Sequence, residues 1–463
     1  MENLKVYNPY TRTVIREIPF DNKKGIEEAI ERAYQLHHNY SNRIPKYKRI
    51  QILETFLCLM NQKFDELVET AVQEGGKPFR DSVVEVNRAI NGVKLTIAHL
   101  NEMKGKMIPM GTTEGSQNRL AYTELEPTGV VLAISAFNHP VNLIVHQVIT
   151  ALAVGAPVIV KPALKTPLSC KLMVDLLYEA GLPVDWCQMV ICKNSLTEKM
   201  AGDKRISFIS FIGSHKVGWH LRSVIAPGTR IVLEHGGVAP VIIDKDADIK
   251  NLIQPLIKGA FYHAGQVCVS VQRIYVHESV IDQFLEKFLK AMRKLKTGNP
   301  AKEQTDVGPL ILPEEATRVE KWVLDAEFEG GKILAGGQSI SNVSYQPTLI
   351  LNPATYSSVS SEEVFGPVVS VFPFSERQEA IKLANNLPFS FQAAVFTKNL
   401  DNALHYTRSL KANTVIVNDH TAFRVDWMPF GASELAGLGT GGIKYIMKDM
   451  CKEKLIVLNS KEL

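Results

Sequence analysis

The side chain with most to offer as a nucleophile is Cys268, in the run Phe261-Tyr-His-Ala-Gly-Gln-Val-Cys-Val-Ser270. That run is small-residued and contains glycine, as suits a turn between a helical segment and a β-rich one. A thiol attacks a carbonyl carbon only as thiolate, so it needs surroundings that lower its pKa or a base within reach. The run itself supplies neither, and a lone cysteine also serves as a small buried hydrophobe. Four other polar residues stand just beyond short apolar runs: Asn138, Lys161, Ser214 and Glu234. Glu234 lies between an apolar run and Gly236-Gly237, a place where a carboxylate can be held for proton transfer. Asn138 brings an amide donor, or a cap for the helix after it.

The elements that position these residues repeat one pattern of apolar strand, small or polar turn, and helix. Val130 to Ile134 leads to Ser135-Ala-Phe-Asn138, Pro157 to Val160 to Lys161-Pro162, and Met189 to Cys192 to a polar helix. Ser207 to Ile212 leads to Gly213-Ser214, and Ile231 to Leu233 to Glu234-His-Gly-Gly237. Strands and helices alternating at this spacing predict a parallel, doubly wound α/β sheet that takes ligands beyond the carboxyl ends of its strands. Upstream, a short hairpin at Val6–Pro9 and Thr13–Ile15 precedes helices over Lys24–His38, Lys46–Met60, Lys63–Val72 and Phe79–Lys104. A second α/β segment begins near Val241, with helices at Asn251–Tyr262, Ile281–Leu295 and Pro313–Phe328. Its strands are expected at Val271–Val276, Val368–Phe374, Ala393–Phe396 and Thr414–Val417, and Phe430–Gly442 reads as a glycine-rich loop. Met110–Thr128 reads as an exposed β-ribbon that a partner subunit covers, with Lys454–Leu458 as a last strand pairing to it.

The totals bound the partners. A chain of 463 residues exceeds the size at which a single core keeps growing, so two or three domains are expected. A net charge of +4, with no basic run interleaved with aromatics, argues against nucleic acid. The six cysteines show no C-x-x-C spacing, and Met1–Pro9 is too polar for a signal core, which points to a reducing, cytoplasmic setting without structural zinc. Cys58, Cys170, Cys187, Cys192 and Cys451 read as buried thiols. The most apolar region, Val130 to Val160, is interrupted by Asn138, His139, Pro140, Asn142, His146, Gln147 and Pro157, so no membrane span is expected.

Taken together, the motifs resemble the aldehyde dehydrogenase superfamily over essentially the whole chain and in the same order. Gly265-Gln-Val-Cys268 is similar to its nucleophile motif, and Leu233-Glu-His-Gly-Gly237, 34 residues upstream from glutamate to cysteine, to the motif bearing its general base. Ala136-Phe-Asn-His-Pro140 resembles the segment whose asparagine helps form the oxyanion hole. Glu362-Glu-Val-Phe-Gly-Pro367 matches the motif that holds the nicotinamide ribose, and Pro429-Phe-Gly431 looks like the loop beside the substrate channel. The resemblance implies Cys268, Glu234 and Asn138 as catalytic residues. It implies NAD or NADP as cofactor, against Ser135, Ala136, Phe137, Lys161, Gly213, Ser214, Glu363 and Phe365. It further implies an NAD(P)-binding domain at 1–108 and 128–236, a catalytic domain at 237–447, and an oligomerisation element at 109–127 and 448–463. A homodimer or homotetramer follows from the same resemblance.

Three departures from the family pattern matter. The carboxylate that favours NAD is Leu164 here, within Lys161-Pro-Ala-Leu-Lys-Thr-Pro167, so repulsion of a 2′-phosphate is lost and dual or NADP-leaning use is expected. His139 replaces an aromatic beside the asparagine, and His263 stands five residues before Cys268, where asparagine is frequent. With His420, Arg424 and Phe430 these are the candidate substrate contacts; gathered at the channel, they would suit a small anionic aldehyde bearing a carboxylate, phosphonate or sulfonate. The alternative is scattered structural histidines and an arginine in an internal ion pair. Gly431-Ala-Ser-Glu-Leu-Ala436 also departs from the usual loop sequence. The expected activity is oxidation of an aldehyde to its acid through a cysteine thiohemiacetal and thioester. The rivals are a CoA-acylating dehydrogenase, against which Glu234 argues, and a non-catalytic binding or structural protein on the same scaffold.

Overall fold

A computed structural model describes residues 2–463. Five of the apolar runs form a parallel sheet, in the order Arg230–Glu234, Ile206–Ile212, Val130–Ile134, Val158–Lys161 and Cys187–Met189. All five residues of Val130–Ile134 are buried, as a parallel strand covered by helices on both faces must be. A sixth, two-residue strand, Gly437–Leu438, returns from far along the chain and pairs antiparallel with Glu234 and Leu233. The second sheet has seven strands, ordered Lys332–Ala335, Thr348–Leu351, Val368–Phe374, Arg273–His277, Pro240–Ile243, Gln392–Phe396 and Thr414–Val417. Only the first of these is antiparallel to its neighbour. The fold class is thus the mixed α/β arrangement expected, with two parallel sheets and a ribbon.

In the ribbon, Cys451–Asn459 pairs antiparallel with Arg119–Pro127 along its whole length, and Met107–Ile108 adds a short third strand. Leu455, Val457 and Leu458 stand exposed on this outer strand.

Two sequence expectations require correction. The strand placed at Met189–Cys192 lies at Cys187–Met189, because Asp21 takes the Ile191 N–H through its side chain at 2.7 Å and turns the chain out of the sheet. Cys58 is exposed: the helix Lys46–Gln62 buries Ile52, Leu53, Phe56 and Met60, and its period turns position 58 outward. Ile443, Ile446 and Met447 pack in the core around the first sheet. Among the described residues no helix is long and apolar enough to cross a membrane.

Candidate active site

Cys268 is placed by an unusual turn. The helix Ile249–Phe261 ends, and the backbone enters the left-handed region at His263, Ala264 and Gly265. At Gly265 glycine is required, since a Cβ would lie 2.1 Å from the Gly366 carbonyl oxygen. Two consecutive non-glycine residues at positive φ cost about 1–3 kcal/mol each, so the turn must be held from outside. Asp81 Oδ2 accepts from the His263 N–H at 3.1 Å. The Gln266 amide donates to the His263 and Pro309 carbonyls at 3.2 Å each, while its Oε1 accepts from Ile311 N–H at 2.9 Å. Cys268 itself remains partly accessible and packs beside Val267, Val269, Phe391 and Phe430.

Asn138 does not cap the helix that follows it. Its Nδ2 donates to the Gln266 carbonyl at 3.0 Å, two residues before Cys268, and a primary amide has a second N–H beyond that one. Glu85 takes the capping role, its Oε1 accepting from Val141 and Asn142 N–H at 2.8 and 3.1 Å. Glu234 ends its strand with its main-chain oxygen accepting from Gly213 N–H, and its Oε1 lies 3.3 Å from Arg424 Nη1. Burial pushes the Cys268 thiol up; the Glu234 carboxylate adds to this, Arg424 opposes it, and Glu363 raises it further. The parallel sheet and the Cys268 turn thus bring an amide donor, a carboxylate and a thiol to one mouth.

Around that mouth lies a buried charged network. Along the helix Phe79–Glu102, Asp81, Glu85 and Arg88 share one face and hold three loops: the His263 turn, the Asn138 segment and the Asp426 loop. Arg88 grips Asp426 through both its carboxylate oxygens, at 2.8 and 3.2 Å, and His146 Nε2 reaches Asp426 Oδ1 at 2.8 Å. Burial alone would raise the Asp426 carboxyl, but His146 and Arg88 outweigh it and hold the group well below the usual carboxylate range. Lys77 pairs with Glu85 in full burial. His139 stacks on Tyr262 with ring centroids 6.0 Å apart, and burial, then Lys77, Arg88, His263 and Arg424, keep it neutral. His263 is buried with both ring nitrogens unpartnered among the described residues. Arg424 lies 3.5 Å from the Phe430 ring centroid. His420 departs from the expected cluster: its contacts run to Gly259, Lys258 and Asp419.

A second surface adjoins the thiol. Lys161 is buried at the end of its strand, its ammonium pushed down by burial with the Cys192 thiol nearby. Gly213-Ser214 leads into the helix His215–Val224, whose first turn has no side-chain cap and so leaves N–H groups free of intrahelical partners. Phe137 and Phe365 meet edge to face at 5.8 Å, and the Phe365 backbone is left-handed. Glu363 sits against Gly236, where a Cβ would lie 1.6 Å from Glu363 Oε1. That oxygen and the Ser135 hydroxyl are buried without a partner among the described residues. Burial raises the Glu363 carboxyl to about 8, against the pull of Arg318 and the Gly237 N–H. An ammonium, a helix N-terminus and sealed, unpaired oxygens fit the ribose hydroxyls and pyrophosphate of a dinucleotide.

Residues 1–456 match the family model described as Aldehyde dehydrogenase family. The chain belongs to that family. A 3-sulfolactaldehyde dehydrogenase from Priestia aryabhattai is 36% identical over 459 residues, covering 99% of this chain and 95% of the relative. A lactaldehyde dehydrogenase from Methanocaldococcus jannaschii is 36% identical over 463 residues, covering 99% and 98%. The crystal structure of glyceraldehyde-3-phosphate dehydrogenase GapN from M. jannaschii complexed with NADP matches with a TM-score of 0.94 at 35% identity, over 99% of this chain and 100% of that one.

Motif reasoning missed Lys77, Asp81, Glu85, Arg88 and Asp426 in this aldehyde dehydrogenase. One signal was present: three charges at i, i+4 and i+7 of the helix Phe79–Glu102, a stripe as regular as an apolar one. Nothing in the sequence shows that this stripe faces inward.

Proposed function

We propose that this aldehyde dehydrogenase oxidises a small anionic aldehyde to its acid, with Cys268 as nucleophile, Asn138 as oxyanion donor and Glu234 as general base. The Cys268 sulfur adds to the aldehyde carbon, and the resulting alkoxide meets the free Asn138 N–H together with backbone N–H near Cys268. Bound NAD(P) supplies the hydride acceptor. The chain's part is then to hydrolyse the thioester: Glu234 takes a proton from water, the water oxygen bonds to the acyl carbon, the C–S bond breaks, and the sulfur keeps the electron pair. Lys161, Ser135, Ala136, Phe137, Gly213 and Ser214 would hold the dinucleotide on the body formed by 1–108 and 128–236, with Glu363 and Phe365 contributed by 237–447. Leu164 and the exposed Lys165 leave a 2′-phosphate unopposed, and the GapN relative carries NADP.

The observation that carries the anionic substrate is Arg424. Its side chain is 11% exposed, makes one contact of 3.3 Å with Glu234, and leaves Nε buried without a partner among the described residues. Five donors in a fixed fork beside the thiol suit an oxyanion group. Two of the three relatives are named for aldehydes bearing a sulfonate or a phosphate. Glu234, beside Cys268, favours water over CoA as acyl acceptor. The exposed outer strand of the ribbon, Cys451–Asn459, supports assembly with a second copy of the chain.

The test is NAD(P)H formation over aldehydes of matched length bearing no charge, a carboxylate, a phosphonate or a sulfonate, each with both cofactors. One anionic class should exceed the neutral aldehyde in kcat/KM by at least about tenfold, as for a charge-assisted bidentate contact. Neutral aldehydes outperforming every anionic one would end the substrate reading.

A further inference from the structure

The Glu234–Arg424 contact joins the group that must move a proton to the group best suited to bind the substrate's anion. We propose that Arg424 is a latch on the base: in the resting enzyme it holds Glu234, and the substrate's anionic group takes over the guanidinium and frees Glu234 to activate water. This rests on the reading of Cys268, Glu234 and an anionic substrate given above.

Three observations carry it. The pair is secluded, with side chains 11% and 13% exposed, so their attraction is little weakened by solvent or salt. Glu234 is held through one oxygen: Oε1 meets Arg424 Nη1, while Oε2 faces Gly441, where a Cβ would lie 2.8 Å away and crowd it. The hold is also loose enough to exchange. At 3.3 Å it is longer than a charge-assisted bond usually is, and Arg424 Nε lies buried and unpartnered beside it, so the guanidinium keeps an unspent donor for a sulfonate, phosphate or carboxylate. Arg424 also lies 3.5 Å from the Phe430 ring centroid, so the guanidinium is braced while its partners change.

The exchange spares the interior an unpaired charge. Removing one partner from a buried ion pair is strongly destabilising, whereas swapping one anion for another keeps the arginine paired throughout. Deacylation then proceeds as written above, with the water proton going to Glu234 and Cys268 leaving as thiolate. A neutral aldehyde would acylate Cys268 and stall, because nothing draws Arg424 away from the base. Recognition of the anion would thus act on hydrolysis as well as on binding.

The experiment uses the full chain without cofactor. p-Nitrophenyl acetate acylates a reactive cysteine with release of p-nitrophenolate; the burst reads acylation, and the steady rate after it reads thioester hydrolysis. Methanesulfonate is titrated in, with chloride at equal ionic strength as control. Acetyl and methanesulfonate together approximate a short sulfonated acyl group. The steady rate should rise saturably, on the order of tenfold if the latch leaves Glu234 free about a tenth of the time, with the burst unchanged. In Arg424→Gln the steady rate should not respond to methanesulfonate. A flat or falling steady rate in the wild type overturns the latch while leaving the anionic-substrate reading standing, and needs no variant to fold. An undiminished response in Arg424→Gln also overturns it. A burst that is absent, or that survives in Cys268→Ser, sinks the catalytic assignment and the latch together.

Discussion

Replacing Asn138 by alanine separates the observed bond of its amide from the oxyanion role proposed for it. One N–H of its Nδ2 is spent on the Gln266 carbonyl at 3.0 Å; the other is available to the alkoxide. Losing the first costs about 1–3 kcal/mol of stability, because a buried carbonyl loses its partner. It should not move Cys268, since Gln266 keeps its bonds to His263, Pro309 and Ile311. Losing the second removes an oxyanion donor, worth about 2.7–4 kcal/mol, or roughly a hundredfold to a thousandfold in rate. The expected signature is therefore a small fall in melting temperature with a large fall in acylation rate, and little change in substrate affinity, because the alkoxide does not exist in the ground state. Single-turnover NAD(P)H formation at saturating aldehyde, beside thermal unfolding of the same preparations, measures both. Asn138→Asp, similar in size but with an acceptor in place of the donor, should be no faster than the alanine variant. Acylation within about threefold of wild type in Asn138→Ala would refute the oxyanion assignment, since one good donor is worth far more than that.

Asp426→Asn should lose about 3–5 kcal/mol in urea unfolding at pH 7, because Arg88 and His146 keep their burial without a carboxylate. The folded pKa of Asp426 is depressed, so its stabilisation is present above the unfolded value of about 4 and fades as pH falls below it; the gap between wild type and variant should narrow there, and a pH-independent gap would contradict the assignment. Leu164→Glu should lower kcat/KM for NADP by about tenfold or more while sparing NAD, through repulsion of the 2′-phosphate, and equal losses with both cofactors would count against that placement. The raised Cys268 pKa predicts slow alkylation by iodoacetamide at neutral pH in the resting enzyme, climbing about tenfold per pH unit into the alkaline range; a profile already flat at pH 7 would mean the thiol is activated without ligands.

The parallel sheet was legible because its strands are buried on both faces, and so read as continuous apolar runs such as Val130–Ile134. The polar residue ending each run was legible for the same reason, which is how Asn138, Glu234 and Lys161 could be picked out. Other features leave no local trace. Gly437–Leu438 is two residues long and exists as a strand only because Leu233–Glu234 offers a free edge. Asp426 looks like any loop aspartate until Arg88 and His146 arrive from distant segments. His420 and Arg424 share the short segment ahead of the Pro429 loop, but with Thr421 donating to the Val269 carbonyl at 2.7 Å between them, the two side chains meet different neighbours.

The late return of the chain to the first sheet bears on how the protein is made. Gly437–Leu438 closes the edge of the Glu234 strand, Ile443, Ile446 and Met447 complete the core beneath it, and Cys451–Asn459 covers Arg119–Pro127. At about 5–20 residues per second of synthesis, that edge waits through the making of nearly half the chain before its own cover emerges. For that interval the nascent molecule carries Glu234 on a strand with an open flank, the kind of surface that pairs with other chains. A late premature stop would therefore yield a polypeptide with every reactive side chain present and a strong tendency to aggregate, so holding chaperones should matter more for this protein than its ordinary composition suggests.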